Sequence, residues 1–168
     1  MSWLSERSRN GGIDEVPLPS GAGRLWLCGK HLIGPDPEAT LLRTGASTVV
    51  CLNDEAELVH RFPEYVRWLR ANADERAVWW PVHDMHAPGG DGLGSLVSLV
   101  RERLDAGEGV VVHCGAGMGR AGSVAAAVLI AYGEQIDDAL AHVAVSRPGA
   151  GPQTIAQQLA LEEYAKSM

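Results

Sequence analysis

Apolar positions along the chain fall into short runs separated by stretches in which they recur every three or four residues. Residues 25–28, 48–52, 77–82 and 110–113 are such runs and are predicted as strands, with 110–113 the most apolar. Helical spacing is found at 37–44, 55–61, 63–72, 95–106, 119–132, 135–146 and from 153 or 154 to 166. Strands that alternate with helices predict a single α/β domain: a mainly parallel central sheet flanked by helices, with ligands bound beyond the carboxyl ends of the strands. Residues 1–23 are rich in Gly, Ser, Pro and charge, without sustained periodicity, and are expected to be a loosely ordered lead-in to a folded domain at 24–168. There is no internal repeat.

Composition narrows the classes of function. A chain of 168 residues, 46% hydrophobic, is long enough to bury one sizeable core. The longest apolar run, 124–131, is too short to span a bilayer, and the opening MSWLSERSRNGG has no apolar signal region, so no membrane association and a cytoplasmic location are expected. The three cysteines, Cys28, Cys51 and Cys114, lack paired metal spacing and suit a reducing compartment. A formal net charge of −7 and the absence of any Lys/Arg run argue against nucleic-acid binding. Any anion site is therefore local.

The segment from Val110 to Arg120, VVVHCGAGMGR, reads as a buried strand, a tight loop and the start of a helix. Gly115, Gly117 and Gly119 let the backbone curl so that successive N–H groups, including those of Ala116 and Met118, converge on one centre. The helix that follows adds its own unpaired amides and positive dipole end, completing an anion cradle. A thiol at the rim of such a cradle is stabilised as the nucleophilic thiolate, which makes Cys114 a candidate nucleophile. Arg120, in the first helical turn, can fold back and hold two phosphoryl oxygens in a bidentate fork that tightens as charge builds in the transition state. The Gly-Lys-Ser/Thr of a nucleotide-binding loop is absent.

His113-Cys114-x-x-Gly117-x-x-Arg120 resembles the signature of the protein tyrosine phosphatase superfamily, and the form Cys114-Gly-Ala-Gly-Met-Gly-Arg120 looks most like its small dual-specificity branch. The similarity runs from about Arg24 to Leu161. It implies a phosphatase that forms a cysteinyl-phosphate intermediate without metal or other cofactor, acting on a phosphorylated protein or a small phosphomonoester. It also implies that His113 orients the loop.

Cleavage of a phosphoester needs a proton for the departing oxygen. Asp84, just past the strand at 77–82, is the candidate general acid, and Pro81-Val82-His83-Asp84-Met85-His86-Ala87-Pro88 resembles the family's acid loop; Asp91 is the alternative. His83 and His86 beside it do not make a metal site, since neighbouring loop residues seldom close a coordination shell. The run 147–157 resembles the segment that closes the pocket in relatives and carries a polar residue; Gln157 is the choice, with Gln153 and Gln158 as alternatives.

One departure concerns turnover. Where the superfamily commonly has Ser or Thr after the arginine, whose hydroxyl eases departure of the thiolate from phosphorus, this chain has Ala121, as do the regenerating-liver phosphatases. Slow hydrolysis of the intermediate is the expectation, with a phospho-binding module of little or no turnover as the rival. A rhodanese-like or arsenate-reducing protein is the rival among enzymes, but the first would not need His113 or Asp84, and the second needs another cysteine close to Cys114. The loop holds no Lys or extra Arg, which favours a single phosphate, as on phosphotyrosine. Trp68, Trp79 and Trp80 are read as core. Cys51 is a candidate partner for oxidised Cys114.

Overall fold

In a computed structural model the structure describes residues 3–19 and 21–168. In chain order the elements are α1 (Trp3–Asn10), β1 (Ile13–Val16), β2 (Leu25–Gly29), α2 (Lys30–Ile33), α3 (Pro37–Thr44), β3 (Thr48–Cys51) and α4 (Glu55–Leu58). They continue with α5 (Pro63–Ala71), β4 (Ala77–Trp79), α6 (Gly92–Asp105), β5 (Val110–Cys114), α7 (Gly119–Ala131), α8 (Ile136–Ser146) and α9 (Ile155–Lys166). The sheet order is β1-β2-β5-β3-β4. β2, β5, β3 and β4 run parallel, while β1 pairs antiparallel with β2 at the edge, so the sheet is mixed.

β5 is the central strand, and all five of its residues are buried, as expected for a parallel strand covered on both faces. Val110, Val112 and Cys114 face a core built with α6, α7, α8 and α9; Val111 faces the second core, with Leu41 of α3 and Tyr65, Val66 and Leu69 of α5. Every residue of α7 is buried, which its small residues permit. A Cβ on Gly122 would lie 2.3 Å from the Gly151 nitrogen, so only glycine lets the helix approach the 147–152 loop so closely. Trp68 and Trp79 pack half-buried against one core and Trp80 against the other.

Local chemistry accounts for the ends of the elements. Asp36 caps α3 by accepting from the Ala39 amide at 3.0 Å, Pro37 opens the helix, and Gly45 closes it in the left-handed conformation. β4 is shorter than the apolar run at 77–82 because Pro81 has no amide to donate; pairing with β3 continues only through the amides of Trp80 and Val82.

The expected loosely ordered lead-in is instead an α-helix and a strand. β1 has a buried Val16 and four residues in register with β2. α1 is tied down by the Glu6–Arg43 pair and by Arg7, whose guanidinium is 2.6 Å from Asp14. These long-range contacts, which local periodicity does not encode, hold the segment. No helix among the described residues is long and apolar enough to cross a membrane.

Candidate active site

Because the four inner strands are parallel, their carboxyl ends open onto one rim. Cys114 ends β5, the turn with Glu57 follows β3, the loop with Asp84 follows β4, and Lys30 follows β2. These residues line a cleft of about 700 Å³ together with Gly115, Ala116, Met118, Gly119, Arg120, Gln153 and Gln157.

The loop from Gly115 to Met118 is held by its carbonyls. The Lys30 amide donates to the Gly115 oxygen at 3.0 Å, Arg147 Nη2 to Ala116 at 2.9 Å, and Arg147 Nε to Gly117 at 3.0 Å. The amides of Gly122 and Gly151 donate to Met118, at 2.9 and 3.1 Å. In a planar trans peptide the N–H points opposite to its carbonyl. Anchoring these four carbonyls on the protein side therefore turns the amides of residues 116–119 the other way, which makes an anion nest. Gly117 sits at φ +75°, where a Cβ would meet the Cys28 carbonyl oxygen at 2.4 Å, so the turn requires glycine.

Arg120 is 4% exposed and held from two sides. Its Nη1 and Nη2 donate to Glu57 Oε2 and Oε1 at 2.9 and 2.8 Å, and Nη1 also donates to the Val82 carbonyl at 2.9 Å. Asp84 Oδ1 lies 3.3 Å from Nη2. Burial disfavours the guanidinium charge, but the Glu57 hydrogen bonds and the nearby Cys114 and Asp84 outweigh it and raise the pKa above its ordinary value. Glu57 also accepts from the Asp54 amide at 2.7 Å in the capping box of α4. Burial raises the pKa of Glu57, yet Arg120 and the Asp54 amide bring it below the usual carboxylate range.

His113 is completely buried, and this pushes its pKa down to about 4 despite its bond to the Cys114 carbonyl. Its Nδ1 faces that carbonyl at 3.4 Å, so Nδ1 carries the proton and Nε2 accepts from the Tyr65 hydroxyl at 2.6 Å. At neutral pH His113 is thus an uncharged strut between α5 and the loop. The unfolded chain binds this proton near pH 6.5 and the folded chain only near 4, so folding is opposed as pH falls through that window. We expect acidification from pH 7 to 4 to remove about 3 kcal/mol through this group alone. Urea midpoints should therefore fall less steeply with acid in His113→Asn than in the parent; parallel pH profiles would refute this.

Asp84 is 66% exposed and accepts from the Met85 amide at 3.0 Å. Its loop is clasped from α9: Thr154 Oγ1 donates to the Met85 carbonyl at 2.9 Å, and Gln157 Nε2 to that of His86 at 3.1 Å. Gln157 is only 1% exposed and accepts from the Gln153 amide at 2.8 Å. Gln158 instead pairs with Glu162 along the helix, and Asp91 lines a different cleft at the start of α6. Ser123, buried in α7, donates to the Gly119 carbonyl at 2.6 Å and so does not replace the hydroxyl missing at Ala121.

Cys51 pairs in register with His113 and belongs to the core on that face, whereas Cys114 belongs to the opposite core. Neighbouring strand residues point to opposite faces, so the two side chains start from opposite sides of the sheet. Burial also pushes the Cys51 pKa up to about 12.

Glu57, Tyr65 and Arg147 are site residues that local sequence reasoning missed. Of these only Glu57 carried a local signal, the Asp54-x-x-Glu57 capping box directly after a strand. Arg147, 1% exposed, also donates to Asp14 Oδ2 at 2.8 Å and to the Gly12 carbonyl at 3.2 Å, which ties β1 to the loop.

A family profile described as polymorphic toxin system, DSP-PTPase phosphatase, matches residues 36–134. Protein tyrosine phosphatase type IVA 3 of Bos taurus is 37% identical over 73 residues, 42% of this chain and 42% of that protein; the Mus musculus protein matches equally. The match thus spans less than half the length of these relatives. Among solved structures, a kinase associated phosphatase superposes with a TM-score of 0.77 at 19% identity, covering 93% of this chain and 94% of that one. A mutant form of Tk-PTP superposes with a TM-score of 0.69 at 25% identity, covering 92% and 95%.

Proposed function

Because the chain belongs to the DSP-PTPase phosphatase family, we propose that it is a cysteine-dependent phosphatase that hydrolyses phosphomonoesters, phosphotyrosine among them, through a cysteinyl-phosphate. The observation that carries this reading is the cradle itself: a cysteine at the foot of a loop whose carbonyls are all anchored outward, with a buried arginine held over it by Glu57. Residues 24–168 are the catalytic domain in this reading, and α1 and β1 brace it. Three buried free thiols support a reducing, cytoplasmic setting.

In the first step Cys114 Sγ attacks phosphorus. The S–P bond forms as the P–O bond to the leaving group breaks, and Asp84 gives its proton to the departing oxygen. The loop amides and Arg120 bind the equatorial oxygens, and Arg120 arrives with its fork already oriented, so little reorganisation is needed as charge develops. In the second step water attacks phosphorus, Asp84 takes its proton, and the S–P bond breaks to release phosphate and regenerate Cys114. An engaged Arg120 implies that substrate displaces the Asp84 contact at 3.3 Å, moving the carboxylate outward towards the leaving group. Gln157, bonded to the acid loop, is assigned to keeping that loop in reach.

Asp84 matters most where the leaving oxygen is basic. We expect Asp84→Ala to lower kcat/KM for phenyl phosphate by about 10²–10³ and for para-nitrophenyl phosphate far less, since nitrophenolate departs without a proton. Equal losses on both substrates would move the acid role elsewhere. With Ala121 in place of a hydroxyl, the second step is expected to limit the rate, seen as a burst of nitrophenol equal to the enzyme concentration. The rival reading, a phospho-binding module, is favoured only by Ala121; phosphate binding without any turnover in the parent chain would establish it.

A further inference from the structure

Asp14 lies in β1, paired with Leu27 of β2, and does not border the cleft. Its carboxylate nevertheless reaches the phosphate loop through one side chain. Oδ2 accepts from Arg147 Nη1 at 2.8 Å, while Oδ1 accepts from Arg7 Nη2 at 2.6 Å. Among the described residues Asp14 is the only carboxylate in ion-pair contact with the buried Arg147. A guanidinium taken out of water depends on its counter-charge, and without one it turns back to water where water is near. Arg147 borders the cleft, so water is near. The two edges of this guanidinium have different tasks. Nη1 is occupied by Asp14 and by the Gly12 carbonyl at 3.2 Å, which leaves Nε and Nη2 facing the carbonyls of Gly117 and Ala116. Those two carbonyls fix the peptides whose amides belong to Met118 and Gly117, half of the amides of the nest. The chain before Asp14 is shaped to the same end. Gly11 and Gly12, both left-handed at φ +83° and +68°, turn α1 into β1 and deliver the Gly12 carbonyl to Arg147.

We infer that Asp14 is a positioning residue for catalysis: it acts through Arg147, holding the guanidinium on the loop so that the amides of Gly117 and Met118 stay aimed at the thiolate and the phosphate. This rests on the phosphatase reading and extends its machinery to an edge strand outside the cleft.

Asp14→Asn keeps the shape of the side chain and removes its charge. We expect it to lower kcat/KM for para-nitrophenyl phosphate about 10–100-fold. Alkylation of Cys114 by iodoacetamide near neutral pH, followed by peptide mass spectrometry without substrate, should slow about five- to tenfold, because fewer amides support the thiolate. The direction discriminates, since a variant that only loosens the fold exposes the thiol and is alkylated faster. Glu6→Gln, which weakens the exposed ion pair pinning α1 to Arg43, should leave both readouts within about twofold of the parent. On an Arg147→Met background Asp14→Asn should change neither readout further, because the side chain it acts through is gone. That pair also carries the comparison if Asp14→Asn alone folds poorly: Arg147→Met leaves Asp14 with Arg7, and the double variant strands no buried guanidinium at the loop. Asp14→Asn within about twofold of the parent in both readouts, faster alkylation, or a further loss on the Arg147→Met background would overturn the inference. If the parent hydrolyses no phosphomonoester, the phosphatase reading fails on its own, and the alkylation rates still decide the role of Asp14.

Discussion

Cys114→Ser should abolish turnover, by at least about 10⁴-fold, while phosphorylated ligands still bind. Serine keeps the shape of the side chain, so the anchored carbonyls and the turned amides stay where they are. What disappears is the attacking sulfur: a serine hydroxyl is a far weaker nucleophile and has no general base beside it, because the neighbouring His113 points its protonated Nδ1 at a carbonyl and gives its Nε2 to Tyr65. Steady-state assays would follow the loss, and titration with a phosphotyrosine peptide would follow the retained binding. Turnover within tenfold of the parent would remove Cys114 from the chemistry. Loss of both turnover and binding, in a chain that still unfolds cooperatively, would mean that the cysteine shapes the loop instead.

Arg120→Lys should be nearly as damaging, lowering kcat/KM by about 10³-fold. An ammonium cannot reproduce the fork that spans both Glu57 oxygens at 2.9 and 2.8 Å and still meet two phosphoryl oxygens. The variant separates catalysis from folding by ligand protection. Phosphate at a hundred times its dissociation constant stabilises a binding-competent chain by about 2.7 kcal/mol, and this increment should largely vanish in Arg120→Lys. Full protection with lost turnover would confine the arginine to the transition state; full turnover would rule out the clamp.

The parts of this site readable in the sequence are those written in one stretch of chain. The strand, the glycine turn, Cys114 and Arg120 occupy consecutive positions, and Asp84 follows a recognisable strand, so local pattern and chemistry suffice. The supports come from elsewhere. Glu57 lies 63 residues from Arg120, Tyr65 lies 48 from His113, and Arg147 lies 31 from Ala116. Apart from the capping box at Glu57, nothing in a window around any of these announces the meeting. β1 was illegible for the same reason: Ile13-Asp14-Glu15-Val16 is too short and mixed to read as a strand, and becomes one by pairing with β2. α1 is a polar eight-residue helix held by ion pairs to Arg43 and Asp14. The glutamines at and before the start of the last helix show the limit within a motif, since Gln153, Gln157 and Gln158 differ only by which face of the chain turns inward.

Arg147 also bears on how the molecule comes to be built. Its guanidinium joins Asp14, across a separation of 133 residues, to the carbonyls of Ala116 and Gly117. Contacts of such long separation pay a large loop-closure cost and form late. During synthesis the nest has its strand, its turn and its helix before the arginine that sets its amides exists. The nest is therefore set by a residue made after it, and its amides take their final orientation only once the segment after α8 has emerged and docked.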